Sequence, residues 1–154
     1  PLVQRAFENI GMAKVATGAG EVFSLGYGTP QDEIAMSRDR RIADAKALTR
    51  YMAGRGYTAP APADNLVLPG RSGEAAISLA VYGMMLGGYV SEHDRLIANK
   101  LANVLCGGDT DGRTPVSEEH VLELELEAFM SLVGEPKSLE RMQYTLMNNK
   151  PLRN

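Results

Sequence analysis

The 154-residue sequence has few of the residues on which extracellular scaffolds, metal centres and nucleic-acid surfaces depend. Its single cysteine, Cys106, cannot form an internal disulfide, which fits a reducing compartment and makes the cytoplasm the expected location. Its two histidines stand in separate segments, without the spacing of a zinc site. A net charge of −3 leaves no broad positive field, so neither a nucleic acid nor an anionic membrane is expected as a partner.

No apolar run is long enough to predict a membrane span. The most apolar stretch, 75–90, has 16 residues and contains three glycines, whereas a helix needs about 20 apolar residues to cross a bilayer. Residues 1–5 lack the basic segment and apolar run of a signal peptide. Neither membrane insertion nor export is therefore expected.

The remaining composition is typical of a globular protein, with 44% hydrophobic and 23% charged residues. Apolar residues recur every three or four positions in most segments, between capping and helix-breaking residues. This pattern predicts an all-α fold, with six or seven helices in a bundle and little or no strand. The predicted helices cover about 2–14, 18–26, 38–53, 73–86, 92–106, 118–133 and 138–147.

Prolines divide the chain into two parts. Pro60, Pro62 and Pro69 lie in the segment 57–69, where they remove backbone donors and fix φ. That segment is predicted to be an extended connector. Residues 1–56 then form a first helical part and residues 70–154 a C-terminal helical bundle.

The helix ends and the central helix are also predicted. One helix is expected to end at Gly26 in the left-handed conformation, and another is expected to stop at Gly107. The helix 73–86 is apolar on nearly every side, so it should be central and wrapped by others. Gly83 and Gly87 within and after it should let another helix approach closely. The expected N-cap residues are Thr17, Ser72, Ser91 and Ser117.

Few side chains indicate catalysis. Cys106 lies at a predicted helix C-terminus, where the dipole disfavours a thiolate, so a core residue is favoured. His93 and His120 are expected to face water. The loop that starts at Asp109 resembles a calcium loop, but its twelfth position is a histidine where a glutamate is required. The glutamates of 118–127 could form a paired-carboxylate site, although a solvated helix face is favoured. No catalytic, cofactor-binding or metal-binding residue is assigned.

Three segments of the first part carry a family resemblance. They are 12–17 (MAKVAT), the helix 18–26 with its FSLG end followed by Tyr27, and the helix that starts at 37–40 (SRDR). Together they resemble the C-terminal helices of crotonase-fold enoyl-CoA hydratases. In that fold these helices cover the acyl-CoA site and make subunit contacts, so the resemblance implies a lid or interface role.

The second part carries a more specific resemblance, in 89–94 (YVSEHD), 98–109 (ANKLANVLCGGD), and from 134–137 (GEPK) to 150–154 (KPLRN). With the first part, these segments resemble the end of bacterial fatty-acid β-oxidation proteins. Those proteins fuse an NAD-dependent 3-hydroxyacyl-CoA dehydrogenase to an enoyl-CoA hydratase/isomerase-like region. The resemblance covers nearly the whole chain. It departs at 147–149 (MNN), where the family more often has lysine, threonine and glycine.

The resemblance implies that these residues are a segment of a longer parent protein. The family's dinucleotide loop and catalytic residues would lie outside the segment, so none is transferred to it. NAD and an acyl-CoA substrate are expected for the parent only. The expected partners are the rest of the parent polypeptide and, in a homo-oligomer, further copies.

Two alternatives remain open. The chain could be an independent all-α interaction module that binds a partner helix through an apolar groove around 75–86. It could also be a self-contained enzyme that uses the glutamates of 118–127 and His120.

Overall fold

The structure is a computed structural model that describes residues 2–154. Seven α-helices cover 60% of the chain, and within the described residues the isolated pairing of Leu66 with Val116 is the only strand-like feature. The all-α prediction is therefore confirmed. No helix in this range is both long and apolar enough to span a membrane. The helices are α1 (Leu2–Gly11), α2 (Ala19–Leu25), α3 (Arg41–Gly54), α4 (Gly70–Leu86), α5 (Glu92–Cys106), α6 (Glu118–Val133) and α7 (Pro136–Asn148).

The chain divides into two compact units. The first comprises Pro1–Ala13 and Pro62–Asn154, and so contains α1 and α4 to α7. The second, Lys14–Ala61, contains α2 and α3. Residues 57–69 contain no helix, as predicted from their prolines. The assignment of 1–56 and 70–154 as separate domains stays a prediction, although α1 packs against α5 within the first unit.

Helix α5 lies at the centre of the first unit, where it contacts α1, α4 and α6. Ala102 and Cys106 on α5 are completely buried, and Val104 is nearly so. The prediction that 73–86 is the central, wrapped helix is wrong, because α4 buries only Gly70 and Val81. Apolarity shows that a helix needs apolar neighbours, but it does not show how many of them the same unit supplies.

Two of the predicted N-caps are confirmed. The Ser91 hydroxyl accepts from the Asp94 amide at 3.1 Å, while the Asp94 carboxylate accepts from the Ser91 amide at 2.9 Å. This reciprocal pair satisfies two backbone donors at the start of α5. The Ser117 hydroxyl caps α6 through one hydrogen bond, which it accepts from the His120 amide at 3.1 Å. Gly107 ends α5 with a left-handed φ of 85°.

The other two predicted caps are wrong. α4 starts directly after Pro69, and the Ser72 hydroxyl, inside the first turn, donates back to the Pro69 carbonyl at 3.1 Å. Gly18 is the N-cap of α2, and the Thr17 hydroxyl donates to the Glu21 carboxylate at 2.6 Å. In both helices the hydroxyl lies one or more positions away from where capping requires it.

Candidate functional site

The outer face of α4 is an exposed, uncharged surface of the first unit. Leu79 and Leu86 on this face are 72% and 68% exposed, and Tyr82 between them is also exposed. No charged residue occurs from residue 75 to residue 91. Because contiguous apolar patches are uncommon on the surfaces of monomeric proteins and often mark interaction sites, this face is a candidate contact surface.

Gly83 also lies on this exposed surface. A Cβ added to Gly83 would meet nothing within 4 Å, so no described helix packs closely there. The predicted close approach at Gly83 is therefore wrong among residues 2–154. At Gly87 a Cβ would meet the Tyr89 ring at 2.9 Å, which is a neighbouring loop residue rather than another helix.

A groove of about 490 Å³ continues from this face, between α4 and α1. Val3 and Phe7 form the α1 side, and Ile77 and Met84 belong to the α4 side. Cys106 of α5 also lines the groove. Since its lining is overwhelmingly apolar, with Gln4 and Glu8 as the polar members, the groove suits aliphatic or aromatic side chains.

The cysteine in this groove is not an activated nucleophile. Cys106 is completely buried. Burial raises the pKa of its thiol, and the nearby Glu74 carboxylate raises that pKa further. The Glu74 carboxylate itself accepts a hydrogen bond from Asn103 at 3.1 Å. The prediction that Cys106 is a core residue is confirmed.

Neither histidine faces water as predicted. His93 is only 4% exposed, and its Nε2 lies 3.1 Å from the Ser138 hydroxyl. His120 is half-buried, and its Nε2 donates to the Gly107 carbonyl at 3.2 Å. Each imidazole contacts a residue outside its own helix: His93 contacts α7, and His120 contacts the turn after α5. The position of each histidine in the first turn of its helix does not reveal these contacts, because they depend on segments that are distant in the sequence.

The His93–Ser138 pair belongs to a buried polar cluster that does not have the geometry of a catalytic triad. The Asp94 carboxylate binds Arg141 at 2.8 Å rather than the imidazole. Arg141 also donates to the Asn154 side chain at 2.7 Å. Ser138 is 8% exposed, so a substrate cannot approach its hydroxyl. The cluster joins α5, α7 and the chain beyond α7.

The acidic candidates are structural or solvated. All five glutamates of 118–127 are exposed, which agrees with the favoured solvated face. The Asp111 carboxylate accepts the amides of Thr114 and Arg113 at 2.8 and 2.9 Å, and these hydrogen bonds hold its pKa below the usual value. Asp109 pairs with Arg71 at 2.9 Å. Within residues 2–154, no group of three His, Cys, Asp or Glu residues is placed to hold a metal ion.

The described residues also do not fit NAD. A dinucleotide cradle needs a strand, a glycine-rich turn and a helix whose N-terminus faces the pyrophosphate. Residues 2–154 form no strand beyond the isolated Leu66–Val116 bridge. The groove therefore suits an apolar surface rather than a dinucleotide.

The sequence offered an apolar groove around 75–86 as the surface of an interaction module, but it did not show the second wall, since that wall requires α1 to pack beside α4. The signal for that prediction is the apolar character of 75–86, within a stretch from 75 to 91 that holds no charged residue. Arg95 marks one edge of that surface: its guanidinium lies over the Tyr82 ring, 4.8 Å from the centroid. The Nε of Arg95 is buried and has no hydrogen-bond partner among the described residues.

Comparison with known proteins gives one informative similarity. The chain is 43% identical over 150 residues to a probable 3-hydroxyacyl-CoA dehydrogenase of Bacillus subtilis (strain 168). The alignment covers 97% of this chain and 19% of that protein, so the chain spans about a fifth of the relative's length. No family model and no solved structure matches the chain. The predicted similarity to 3-hydroxyacyl-CoA dehydrogenases is confirmed, whereas the hydratase fusion and the cytoplasmic location stay predictions.

Proposed function

We propose that this chain is a helical segment of a 3-hydroxyacyl-CoA dehydrogenase, and that it supplies packing surface rather than catalytic groups. The similarity to the probable dehydrogenase, over 97% of this chain and 19% of the relative, supports the first half of the proposal. In the parent enzyme, NAD and the acyl-CoA substrate bind to residues outside this segment. Fusion to an enoyl-CoA hydratase region and a place in fatty-acid β-oxidation form the finer part of the proposal.

The observation that carries the packing role is the uncovered apolar surface of α4 and its groove. The chain exposes 11576 Å², whereas two compact units of these lengths, even without mutual contact, would expose about 9,000 Å². Leu79 and Leu86 of α4, at 72% and 68% exposure, contribute apolar area to this exposed surface. Burial of apolar area stabilises an assembly by about 25 cal/mol per Å², so a covering polypeptide would gain substantially from this face.

The chain's own residues contribute position and water exclusion to this function. The α5 core and the Asp94–Arg141 cluster hold α4 and α7 on one framework, and α4 presents the uncharged face. The rest of the enzyme covers that face. Proton and hydride transfer are performed by residues outside the segment.

The same groove favours one rival function, an independent module that binds a helix of another protein. The two functions differ in what covers α4. In the first the covering residues belong to the same polypeptide, so α4 is protected in the purified full-length protein. In the second α4 stays accessible until the partner is added.

The experiment compares two full-length variants that each add one carboxylate to an exposed helix position. Ala80→Asp places the charge in the α4–α1 groove, and Gln143→Asp places it on α7. We expect Ala80→Asp to increase proteolysis of the segment by about tenfold, since an unpaired charge at a desolvated contact costs 1.4 kcal/mol or more. Gln143→Asp should behave as wild type.

Two further readouts separate the parts of the proposal. NADH formation from a 3-hydroxyacyl-CoA tests the full-length enzyme, and the same assay on residues 1–154 alone should give no turnover. Absence of NAD-dependent oxidation in the full-length protein contradicts the assignment to the dehydrogenases. Equal proteolysis of Ala80→Asp and Gln143→Asp contradicts the packing role. If the α4 face of the wild-type full-length protein is digested as fast as that of Ala80→Asp, the result favours the rival function.

A further inference from the structure

The Arg95 side chain brings an uncompensated positive charge to the edge of the uncharged α4 face. Arg95 belongs to α5, and its guanidinium lies over the Tyr82 ring of α4, 4.8 Å from the centroid. Among the described residues, its one hydrogen-bond contact is a long one, from Nη1 to the Met85 sulfur at 3.9 Å. Its Nε is buried without a partner, and no ion pair within residues 2–154 includes it. This segment therefore supplies no carboxylate for Arg95.

Arg141, the other half-buried arginine of the described residues, shows what Arg95 lacks. Arg141 binds the Asp94 carboxylate at 2.8 Å. Even the exposed Arg71 has a carboxylate partner, Asp109, at 2.9 Å. A fully hydrated cation needs no partner because water compensates its charge, whereas a half-buried cation has lost part of that water. Arg95 is half-buried, so its missing carboxylate has a cost that a contact outside this segment can remove.

Covering α4 would increase the cost of this charge. Leu79, Tyr82 and Leu86 follow one another at three and four residues, so they share one face of the helix. A polypeptide that covers the two leucines therefore also removes water from Tyr82 and from the guanidinium above it. Residues 75–91 hold no charged group that could compensate Arg95. The covering surface must supply the negative charge, because a cation buried without one is strongly unfavourable.

We infer that the part of the parent polypeptide that covers α4 carries an aspartate or glutamate whose carboxylate binds the Arg95 guanidinium. The planar guanidinium presents paired N–H groups that match the two oxygens of a carboxylate. Tyr82 and Met85 already hold the arginine side chain, so binding costs it little further conformational freedom. The apolar residues of α4 then provide contact area, and Arg95 fixes the register of the cover. This inference rests on the proposed function and adds the chemistry that selects the covering segment.

The first test identifies the acid by a zero-length cross-link. Full-length Arg95→Lys protein has a primary amine at this position, and a carbodiimide couples that amine to a carboxylate in contact with it. Mass spectrometry should find residue 95 joined to an aspartate or glutamate outside residues 1–154. A mixture of isotope-labelled and unlabelled protein should show that both peptides come from one chain. No cross-link from residue 95, a cross-link confined to residues 1–154, or one that joins two copies overturns the inference.

The second test measures hydrogen exchange of residues 79–91 in the full-length protein. Arg95→Met should speed their exchange by about tenfold, since a charge-assisted contact is lost and the acid of the cover is left unpaired. Arg95→Lys keeps the charge and should speed exchange by less than about threefold. Lys100→Met is the matched control, because it removes a half-buried cation of the same helix. Lys100 lies two turns after His93 and away from Tyr82, so this change should have no effect.

Charge exchange separates an ion pair from a simple loss of packing. Arg95→Glu should speed exchange more than Arg95→Met, and a lysine at the cross-linked acid should restore the wild-type rate in the Arg95→Glu protein. Failure of this rescue overturns the inference alone, as does an Arg95→Met protein whose residues 79–91 stay as protected as in the wild type. Fast exchange of 79–91 in the wild-type full-length protein overturns the proposed packing role, and this inference with it.

Discussion

Helices α4 and α5 follow one another in the sequence and pack together, yet their surroundings differ. α5 contains four charged residues and has neighbours on three helices, and only Glu92 on it is exposed. α4 contains two charged residues, Arg71 and Glu74, and leaves most of its apolar side chains in contact with water. The more polar helix is thus the central one.

The difference shows that pairing, rather than low polarity, allows a helix to be central. On α5, His93 meets Ser138, Asp94 meets Arg141, and Asn103 meets Glu74. These three polar groups are therefore compensated when they are removed from water, whereas Arg95 Nε and Asn99 Oδ1 on the same helix are buried without a hydrogen-bond partner among the described residues. The uncharged α4 has no such requirement, and its outer face is suited to an apolar covering that the described residues do not provide.

The largest expected effect contrasts a buried alanine of α5 with an exposed alanine of α4. In residues 1–154, Ala102→Asp should lower the free energy of unfolding by about 3–5 kcal/mol or prevent folding, because it buries an unpaired charge. Ala80→Asp should change it by less than about 0.5 kcal/mol. Urea unfolding followed by circular dichroism measures both. Similar losses in the two variants would remove the distinction between the helices.

A second contrast lies within α4, between its anchored start and its exposed middle. Gly70 has φ +63°, and a Cβ there would collide with the Thr110 carbonyl and lie 2.6 Å from the Gly112 amide. Gly70→Ala should therefore destabilise the chain by about 2 kcal/mol or more. Gly83→Ala meets no atom within 4 Å and should stabilise it by about 0.5–1 kcal/mol through helix propensity.

Thermal unfolding of the two alanine variants gives the sign directly. Destabilisation by Gly83→Ala would show that the outer face of α4 is packed, contrary to the structure. Tolerance of Gly70→Ala would show that the loop 107–112 does not hold the start of α4.

The sequence predicted the positions of the helices well, but it did not predict which helices pack against one another. Ser91, Ser117 and Gly107 were predicted correctly because caps and left-handed ends depend on residues within one turn. His93 was misplaced because its partner Ser138 lies 45 residues away. The central position of α5 and the α1–α4 groove likewise arise from contacts between distant segments, which helical periodicity does not encode.

A third contrast compares the ion pairs of the two helices. Arg141→Met removes the partner of Asp94 on α5, in a pair whose side chains are 20% and 29% exposed. We expect a loss of about 1–2 kcal/mol, since a partly buried carboxylate keeps its desolvation cost without its arginine. Arg71→Met removes the partner of Asp109, in a pair 68% and 82% exposed. That change should cost less than about 0.5 kcal/mol.

Denaturant unfolding at low and high salt checks this third contrast. The α4 pair should become indistinguishable from its methionine variant in 0.5 M salt, because the Debye length then falls to about 4 Å and the exposed charges are screened. Equal losses for Arg141→Met and Arg71→Met would show that burial does not distinguish the two pairs.

The smallest expected effect concerns His93 and pH. Burial lowers the pKa of this imidazole, and the positive charges of Arg141 and Lys137 lower it further, against the opposite influence of Glu135 and Asp94. Below a pH of about 6.5 the unfolded chain therefore takes up a proton that the folded chain resists, and stability falls as the pH decreases. The contribution is at most about 0.7 kcal/mol between pH 7 and pH 6. His93→Gln, which keeps a neutral polar group beside Ser138, should remove this slope.

Asp94 affects stability at lower pH than His93. Burial alone would raise the pKa of Asp94, but hydrogen bonds from Ser91 and Arg141 outweigh burial and lower that pKa. The stabilisation from Asp94 is therefore lost only below about pH 4. Urea unfolding at pH 7, 6 and 5 separates the two groups, and a slope that persists unchanged in His93→Gln would show that the buried imidazole is not its source.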